Sequence, residues 1–354
     1  MPIDRKATKE TRNLFVNLQR LSAKGVMFGH QDDLAYGVGW QYEPNRSDIK
    51  DVVGDYPAVF GWDLGRLEFD SSKANLDGVP FDKQRALAQQ VYAQGGLNTY
   101  SWHLNNPLDP KKTSWDKQDS TIRRLFADRK AMKRYKSWLK KVAGYMKSLK
   151  GPNGEAIPVV FRPFHEHTGS WFWWGKNHCS PEEYVKMWRF TVDYLRDKKK
   201  VHNLLYAYST DRFTSREDYL ERFPGDDYVD IVGFDIYHRP RGDTTNRYLP
   251  ETRRMVETLR SIGQEKRKVW AMTETGLAQV SQPNWWTNTL LPIIQDAGLS
   301  YVLVWRNEGQ QQYFAPFKGQ ASAADFSTFY ADPRLLFGKK TASERLYNTP
   351  QSAQ

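Results

Sequence analysis

Two glutamates, Glu166 and Glu274, each lie at the end of an apolar run of strand length, Pro158–His167 and Lys268–Gly276. An apolar strand ending in an ionisable group is costly to bury unless that group is used or paired. Two carboxyl groups about 5–5.5 Å apart can cleave a glycosidic bond with retention, one protonated as acid and the other ionised as nucleophile. A salt bridge to Arg162 or Arg306 would account for either glutamate alone, but less well for both at strand ends. Other runs end in the same manner, in Gly29-His30-Gln31-Asp32, Ser101-Trp102-His103, Asp235-Ile236-Tyr237-His238 and Trp305-Arg306-Asn307-Glu308. Just past Glu166 comes Trp171-Phe172-Trp173-Trp174. Four consecutive rings cannot all point inward, so Trp171 is expected to line a cleft, with Trp173 or Trp174 in the core.

Metal chemistry is the competing reading. His165 and His167 alternate and would share a strand face, with His178 and Cys179 nearby. Structural zinc sites want four ligands at tighter spacing, and no HExxH helix is present. No metal and no cofactor is expected. The single cysteine, Cys179, excludes an intrachain disulfide framework and reads as a packed or loop thiol.

These groups need a scaffold that brings strand ends together. Eight short β-type runs recur, at Gly25–Gln31, Ala58–Leu64, Leu97–His103, Pro158–His167, Leu204–Thr210, Ile231–Tyr237, Lys268–Gly276 and Tyr301–Asn307. Their apolar stretches are continuous rather than alternating, which suits parallel strands buried on both faces. Helical patterns lie before, between and among them, at Thr8–Ala23, Asp82–Gln94, Asp128–Leu149, Ser180–Asp197, Arg247–Ile262 and Asn284–Ala297. The pattern predicts an α/β fold, a single-domain (β/α)8 TIM barrel over 1–354, with its core at about 8–337 and a polar tail near Thr349–Gln354. A doubly wound open sheet would normally have fewer strands, and the chain lacks a Gly-rich phosphate loop. Barrel enzymes carry their chemistry at the C-terminal strand ends, where the fourth and seventh strands face each other across the mouth.

Composition agrees with a globular chain of 354 residues, 39% apolar and 26% charged. No apolar stretch approaches the length of a bilayer span. The aromatic content of 14% suits sugar-ring contacts as well as core filling. The net charge of +11 is concentrated in Lys111–Lys150, where fourteen Lys/Arg face three Asp; the other 314 residues are neutral by formal count. Met132, Tyr135, Trp138, Leu139, Val142, Met146 and Leu149 repeat there at helical spacing, with lysines and arginines between them. A solvated outer helix face explains this pattern. No nucleic-acid recognition module accompanies it, so no nucleic-acid partner is expected. The N-terminus runs directly into a polar helix pattern without a signal peptide, as a cytoplasmic or an already processed chain would.

The segment Arg162-Pro163-Phe164-His165-Glu166-His167-Thr168-Gly169-Ser170-Trp171-Phe172-Trp173-Trp174-Gly175 resembles the acid/base signature of glycoside hydrolase family 26. Phe28-Gly29-His30-Gln31, Ser101-Trp102-His103, Gly233-Phe234-Asp235-Ile236-Tyr237, Thr273-Glu274-Thr275-Gly276 and Trp305-Arg306-Asn307 fit the same family in order, and the likeness runs from Thr8 to about Phe337. It is greatest to the β-mannanases of Bacteroides-type gut bacteria. The resemblance implies a cofactor-free retaining endo-1,4-β-mannosidase, secreted or periplasmic, acting on β-mannan polysaccharide or manno-oligosaccharides with no obligatory protein partner. It makes Glu166 the acid/base, Glu274 the nucleophile and Tyr237 the residue that hydrogen-bonds the nucleophile. His165 stands where related barrel glycosidases carry Asn. His103, Asp235 and Arg306 match sugar-contacting positions, and Trp171 and Trp305 match aromatic platforms. Trp115 and Phe213 are possible further contacts. The chain departs from the pattern at His167, where many members carry Met or another apolar residue, and at Thr168, where Asn or Asp is usual. A β-1,3-1,4-glucanase, a β-1,3-xylanase and a non-catalytic carbohydrate-binding barrel are the alternatives.

Overall fold

The computed structural model describes residues 1–239 and 247–350; positions 351–354 of the expected polar tail lie outside the described residues. Eight parallel strands form the barrel: β1 (Val26–Gln31), β2 (Val59–Asp63), β3 (Leu97–Trp102), β4 (Val159–Pro163), β5 (Leu204–Thr210), β6 (Ile231–His238), β7 (Val269–Leu277) and β8 (Tyr301–Val304). Each pairs with its sequence neighbours, and β8 pairs back onto β1 through Phe28↔Val302 and Gly29↔Leu303, which closes the sheet. A short strand, Leu335–Leu336, adds a further parallel pairing to β1.

Strand alternation sorts the side chains. Met27, Val59, Leu97, Val160, Leu205, Ile231, Val269 and Tyr301 meet inside the barrel, in one cluster with Leu14, Phe15, Leu18 and Leu21 of the helix Lys9–Ser22. That helix caps the N-terminal end of the barrel with its apolar face. The intervening residues, among them Phe28, Trp62, Tyr100, Phe161, Tyr206, Phe234 and Met272, pack outward against the helices. Two or four residues further along these inward rows, the apolar floor gives way to polar groups: Ser101, Arg162, Ser209 and Asp235. Polarity therefore rises toward the C-terminal strand ends. Gly233 makes room in this layer, since a Cβ there would lie 2.7 Å from the methyl of Thr273.

Four helices start where the sequence predicts, with Thr8, Asp128, Ser180 and Arg247 as their N-caps. Asp128 caps the helix Arg129–Ser148 by accepting from the Lys130 and Ala131 amides. Ser180 and Glu183 form a capping box ahead of Pro181–Asp193. Other boundaries differ. The run expected to Asp197 becomes a π turn at Tyr194–Lys198. The run Asn284–Ala297 forms a π turn, Trp286–Leu290, and then a short α-helix, Leu291–Ile294. Pro292 cannot donate to the helix ladder, which breaks its register there. The fourth strand stops at Pro163, four residues short of the predicted end. Among the described residues, no helix is long and apolar enough to cross a membrane.

Candidate active site

The acid pair is assembled from the C-terminal ends of four strands, β4 to β7, and the loop after β4. Arg162 of β4 lies buried between two acids. Its Nη1 donates to Asp235 Oδ2 of β6 at 2.7 Å, and its Nη2 pairs with Glu274 Oε1 of β7. The other oxygen of Glu274 accepts from the Tyr237 hydroxyl at 2.8 Å. Asp235 Oδ1 accepts from Ser209 Oγ of β5 at 2.9 Å and from Thr273 Oγ1 at 2.6 Å. Glu274 is thereby held by two donors, and each partner is itself fixed on a strand.

Thr273 and Glu274 are adjacent in sequence, yet both bond to groups of the barrel interior. Regular alternation would send them to opposite faces. The pairing register explains the exception. Phe234 pairs with Met272 but Asp235 pairs with Glu274, and Val302 pairs with Met272 but Val304 with Thr275. Thus β7 carries one extra residue against both neighbours. Such a bulge re-aims a side chain, here the Glu274 carboxylate.

Glu166 arrives by a different route. After Pro163 the backbone enters the left-handed region at Phe164 (φ 51°) and again at Glu166 (φ 53°). Non-glycine residues adopt it at a cost and need to be held there. Three contacts hold this turn: Tyr184 Oη donates to the Phe164 carbonyl, Trp174 Nε1 to the His165 carbonyl, and the Glu166 amide to the Ser209 carbonyl. Trp171 Nε1 then donates to Glu166 Oε2 at 2.7 Å. The Trp171 ring lies against Gly169, where any Cβ would collide with it.

One carboxylate oxygen from each of Glu166, Asp235 and Glu274 lies within 4.8 Å of the others. Three acids this close to one arginine cannot all ionise easily. Burial, followed by the charges of Glu274, Asp235 and Asp211, raises the Glu166 pKa well above the ordinary carboxylate range, against the opposing bond from Trp171. Burial also pushes Asp235 up to about 7, although Arg162 pulls the other way. Glu274, across from them, accepts from Arg162 and from the Tyr237 hydroxyl. Glu166 is thus set up to hold a proton opposite a carboxyl fixed by two donors.

The family model for glycosyl hydrolase family 26 matches residues 3–273 of the chain. The chain belongs to glycosyl hydrolase family 26. The family 26 fold aligns with a solved β-mannanase from Bacteroides ovatus at 44% identity and a TM-score of 0.91, covering 96% of this chain and 98% of that one. A mannan endo-1,4-β-mannosidase of Bifidobacterium adolescentis is 30% identical over 95% of this chain, and one of Bacillus subtilis is 29% identical over 67% of it. The chain spans 35% of the length of the first of these relatives and 65% of the second.

Of the residues singled out in this family 26 chain, Glu166, Glu274, Asp235, Tyr237 and Trp171 come together around the acid pair. His103 and His165 meet each other, 3.2 Å apart between their Nε2 atoms. Trp305 is half-buried directly after β8, its amide bonded to the Thr275 carbonyl. Arg306 is tied elsewhere, to Asp77 at 3.3 Å, Glu308 at 3.2 Å and the Tyr36 hydroxyl at 3.3 Å. With Trp40 and Gln41 these residues line a cleft of about 500 Å³. Trp173 and Trp174 are both fully buried.

Two expectations are corrected. Phe213 packs in the core against Tyr219 and Phe234, so it offers no substrate surface. His165 and His167 do not share a strand face, because the strand has already ended. His167 packs between the rings of Tyr184 and Tyr208, His178 binds Asp119, and Cys179 accepts from Arg222, so the postulated metal grouping does not form. Trp115, given less weight than the other aromatics, is 48% exposed and stacks on His103 with ring centroids 4.9 Å apart. Sequence reasoning passed over Asp63, Ser209 and Thr273 as site residues. Asp63 and Ser209 sit at the ends of the second and fifth runs, where the strand-end rule would have found them.

Proposed function

We propose that the chain is a retaining endo-1,4-β-mannosidase, one catalytic barrel that cuts internal bonds of mannan, glucomannan or galactomannan. The facing carboxyls of Glu166, whose pKa is raised, and Glu274, held by Arg162 and Tyr237, carry the reading. Glu274 attacks the anomeric carbon as the glycosidic C–O bond breaks, and Glu166 gives its proton to the departing oxygen. Water then attacks the anomeric carbon, gives a proton to Glu166, and displaces Glu274. Esterification of Glu274 removes a negative charge that had raised the Glu166 pKa. Its pKa then falls, so Glu166 stands as a carboxylate able to accept the proton when water must be activated. Tyr237 and Arg162 hold the attacking carboxylate, Trp171 orients the acid, and the mannan-specific names of the relatives support the choice of sugar. A secreted or periplasmic location fits a polymeric substrate.

The deciding experiment is a product profile on soluble mannan, lichenan and β-1,3-xylan. Manno-oligosaccharides of several lengths, with little release from the other two, are expected. Cleavage of lichenan or β-1,3-xylan in preference would reassign the substrate, and no cleavage of any of them would leave only a binding barrel.

The basic helix should stand apart from this chemistry. Its apolar face, with Tyr135, Trp138, Leu139 and Met146, is buried, whereas Lys133, Lys136, Lys140 and Lys147 are exposed. Exposed charges are screened beyond ~8 Å at physiological ionic strength. Neutralising these four lysines is expected to leave mannan turnover within about twofold and to weaken adsorption to anionic surfaces at low salt. A steep salt dependence of mannan affinity, abolished in that variant, would place the segment at the substrate instead.

A further inference from the structure

Beside the acid pair, three side chains form a hydrogen-bonded chain that the double displacement does not use. Asp63, the last residue of β2, is fully buried, and its Oδ2 lies 2.7 Å from His103 Nδ1. The far nitrogen of that ring, Nε2, lies 3.2 Å from Nε2 of His165. Asp63 also accepts from Ser101 Oγ at 2.6 Å and from the Gly65 amide at 2.6 Å. Each of these partners donates, so Asp63 acts as an ionised acceptor and His103 Nδ1 carries a hydrogen.

The contact between the two rings can hold only one hydrogen. Two would clash, and none would set two lone pairs against each other. Either His103 is an imidazolium donating to a neutral His165, or His103 is neutral and accepts from Nε2–H of His165. The first arrangement leaves His165 protonated on Nδ1, and the second leaves Nδ1 bare. That nitrogen is buried and has no partner within the protein.

The surrounding charges select the first arrangement. His103 faces Asp63 directly, with Glu274 and Asp77 adding negative potential, and the Trp115 and Phe172 rings pack against it. Burial opposes a charged His103, but these acids outweigh it and its pKa is raised. The side chains that act on His165 are Arg162, His103 and His167, and the rings of Phe172 and Trp174 pack on it. Burial, reinforced by those cations, lowers its pKa far below the usual range. The acids around Asp63 are Asp32, Glu68 and Asp77, and among the described residues His103 is the basic side chain paired with it.

We propose that Asp63 is a positioning residue that keeps the proton on His103 and thereby fixes His165 as a neutral ring protonated on Nδ1. The consequence for catalysis rests on the role of Glu166 given above. A cationic His165, next in the chain to Glu166, would favour its carboxylate and draw off the proton needed for the leaving group. Storing the charge on His103 moves it one ring away. As pH rises through the His103 pKa the pattern inverts, and Nδ1 of His165 changes from donor to acceptor.

Long-range ¹H–¹⁵N spectra of the histidine-labelled full chain test this, with His103→Gln and His165→Gln used for assignment. At pH 7 His103 is expected to show both nitrogens protonated and His165 a protonated Nδ1 beside a bare Nε2. In Asp63→Asn the His103 titration should fall by more than about one pH unit, with the His165 hydrogen moving to Nε2. The kcat should drop about tenfold, less than the roughly 10²–10⁴-fold of losing an acid–base group outright because Glu166 itself remains, with KM within about threefold. A wild-type spectrum with His103 singly protonated, or with His165 protonated on Nε2, overturns the proposal even where Asp63→Asn fails to fold. So does a folded Asp63→Asn in which His103 keeps its charge. If the spectra match while Glu166 variants remain fully active, the proton placement stands and the reading of Glu166 falls.

Discussion

Replacing Glu274 with Gln is expected to lower mannan hydrolysis by more than about 1,000-fold, since loss of a nucleophile removes the covalent route altogether. The choice of Gln matters. Glu274 is buried against Arg162 and Tyr237. Alanine there would break a buried ion pair, at about 3–5 kcal/mol, and confuse lost chemistry with lost folding. Glutamine keeps the shape and an acceptor for Arg162, and Asp235 still neutralises that arginine. A thermal melt within a few degrees of wild type, together with no detectable glycosyl-enzyme by mass spectrometry, would complete the assignment. A folded Glu274→Gln that keeps more than a few per cent of activity would remove Glu274 from the role of nucleophile.

Glu166→Ala should fail in a different step. A dinitrophenyl glycoside has a leaving group that departs without a proton, so glycosylation of Glu274 should proceed. Deglycosylation, which needs a base, should then stall. A burst of dinitrophenol followed by slow turnover is expected, and azide should accelerate the slow phase by attacking the intermediate without general-base help. Neither burst nor azide rescue would count against Glu166 as acid/base. The pH profile adds a sign. Burial, with the charges of Glu274 and Asp235, raises the Glu166 pKa, so its proton is present below the raised value and is lost as pH climbs through it. The alkaline limb of wild-type kcat/KM should therefore lie above the ordinary carboxylate range and disappear in Glu166→Ala with the activated substrate. The limbs belong to the coupled acids together, so the comparison between variants carries the assignment.

Much of this was legible in the chain. The eight apolar runs became the eight barrel strands, because a continuous apolar stretch of that length is stable where both faces are covered. The helix starts at Asp128 and Ser180 were written in their capping residues. Polar residues closing apolar runs marked the barrel mouth, and Glu166 and Glu274 were found by that rule. Arg162 was read only as a possible salt-bridge partner; the fold makes it the buried bridge between Asp235 and Glu274.

Residue types and their order along the chain determined that there would be a parallel barrel, that its mouth would be polar, and which two carboxyls would stand at opposite strands. Those properties follow from local chemistry and periodicity, which each segment carries within itself. The tertiary structure alone decided how the carboxyls are aimed and charged. The extra residue in β7 turns Glu274 inward through register against β6 and β8. The left-handed backbone at Glu166 is held by a tyrosine, a tryptophan and a carbonyl from three separate segments. The proton balance among Asp63, His103 and His165 depends on which charges lie nearby in space. Bulge register, backbone strain and electrostatic potential are sums over groups distant in sequence, so no single segment contains them.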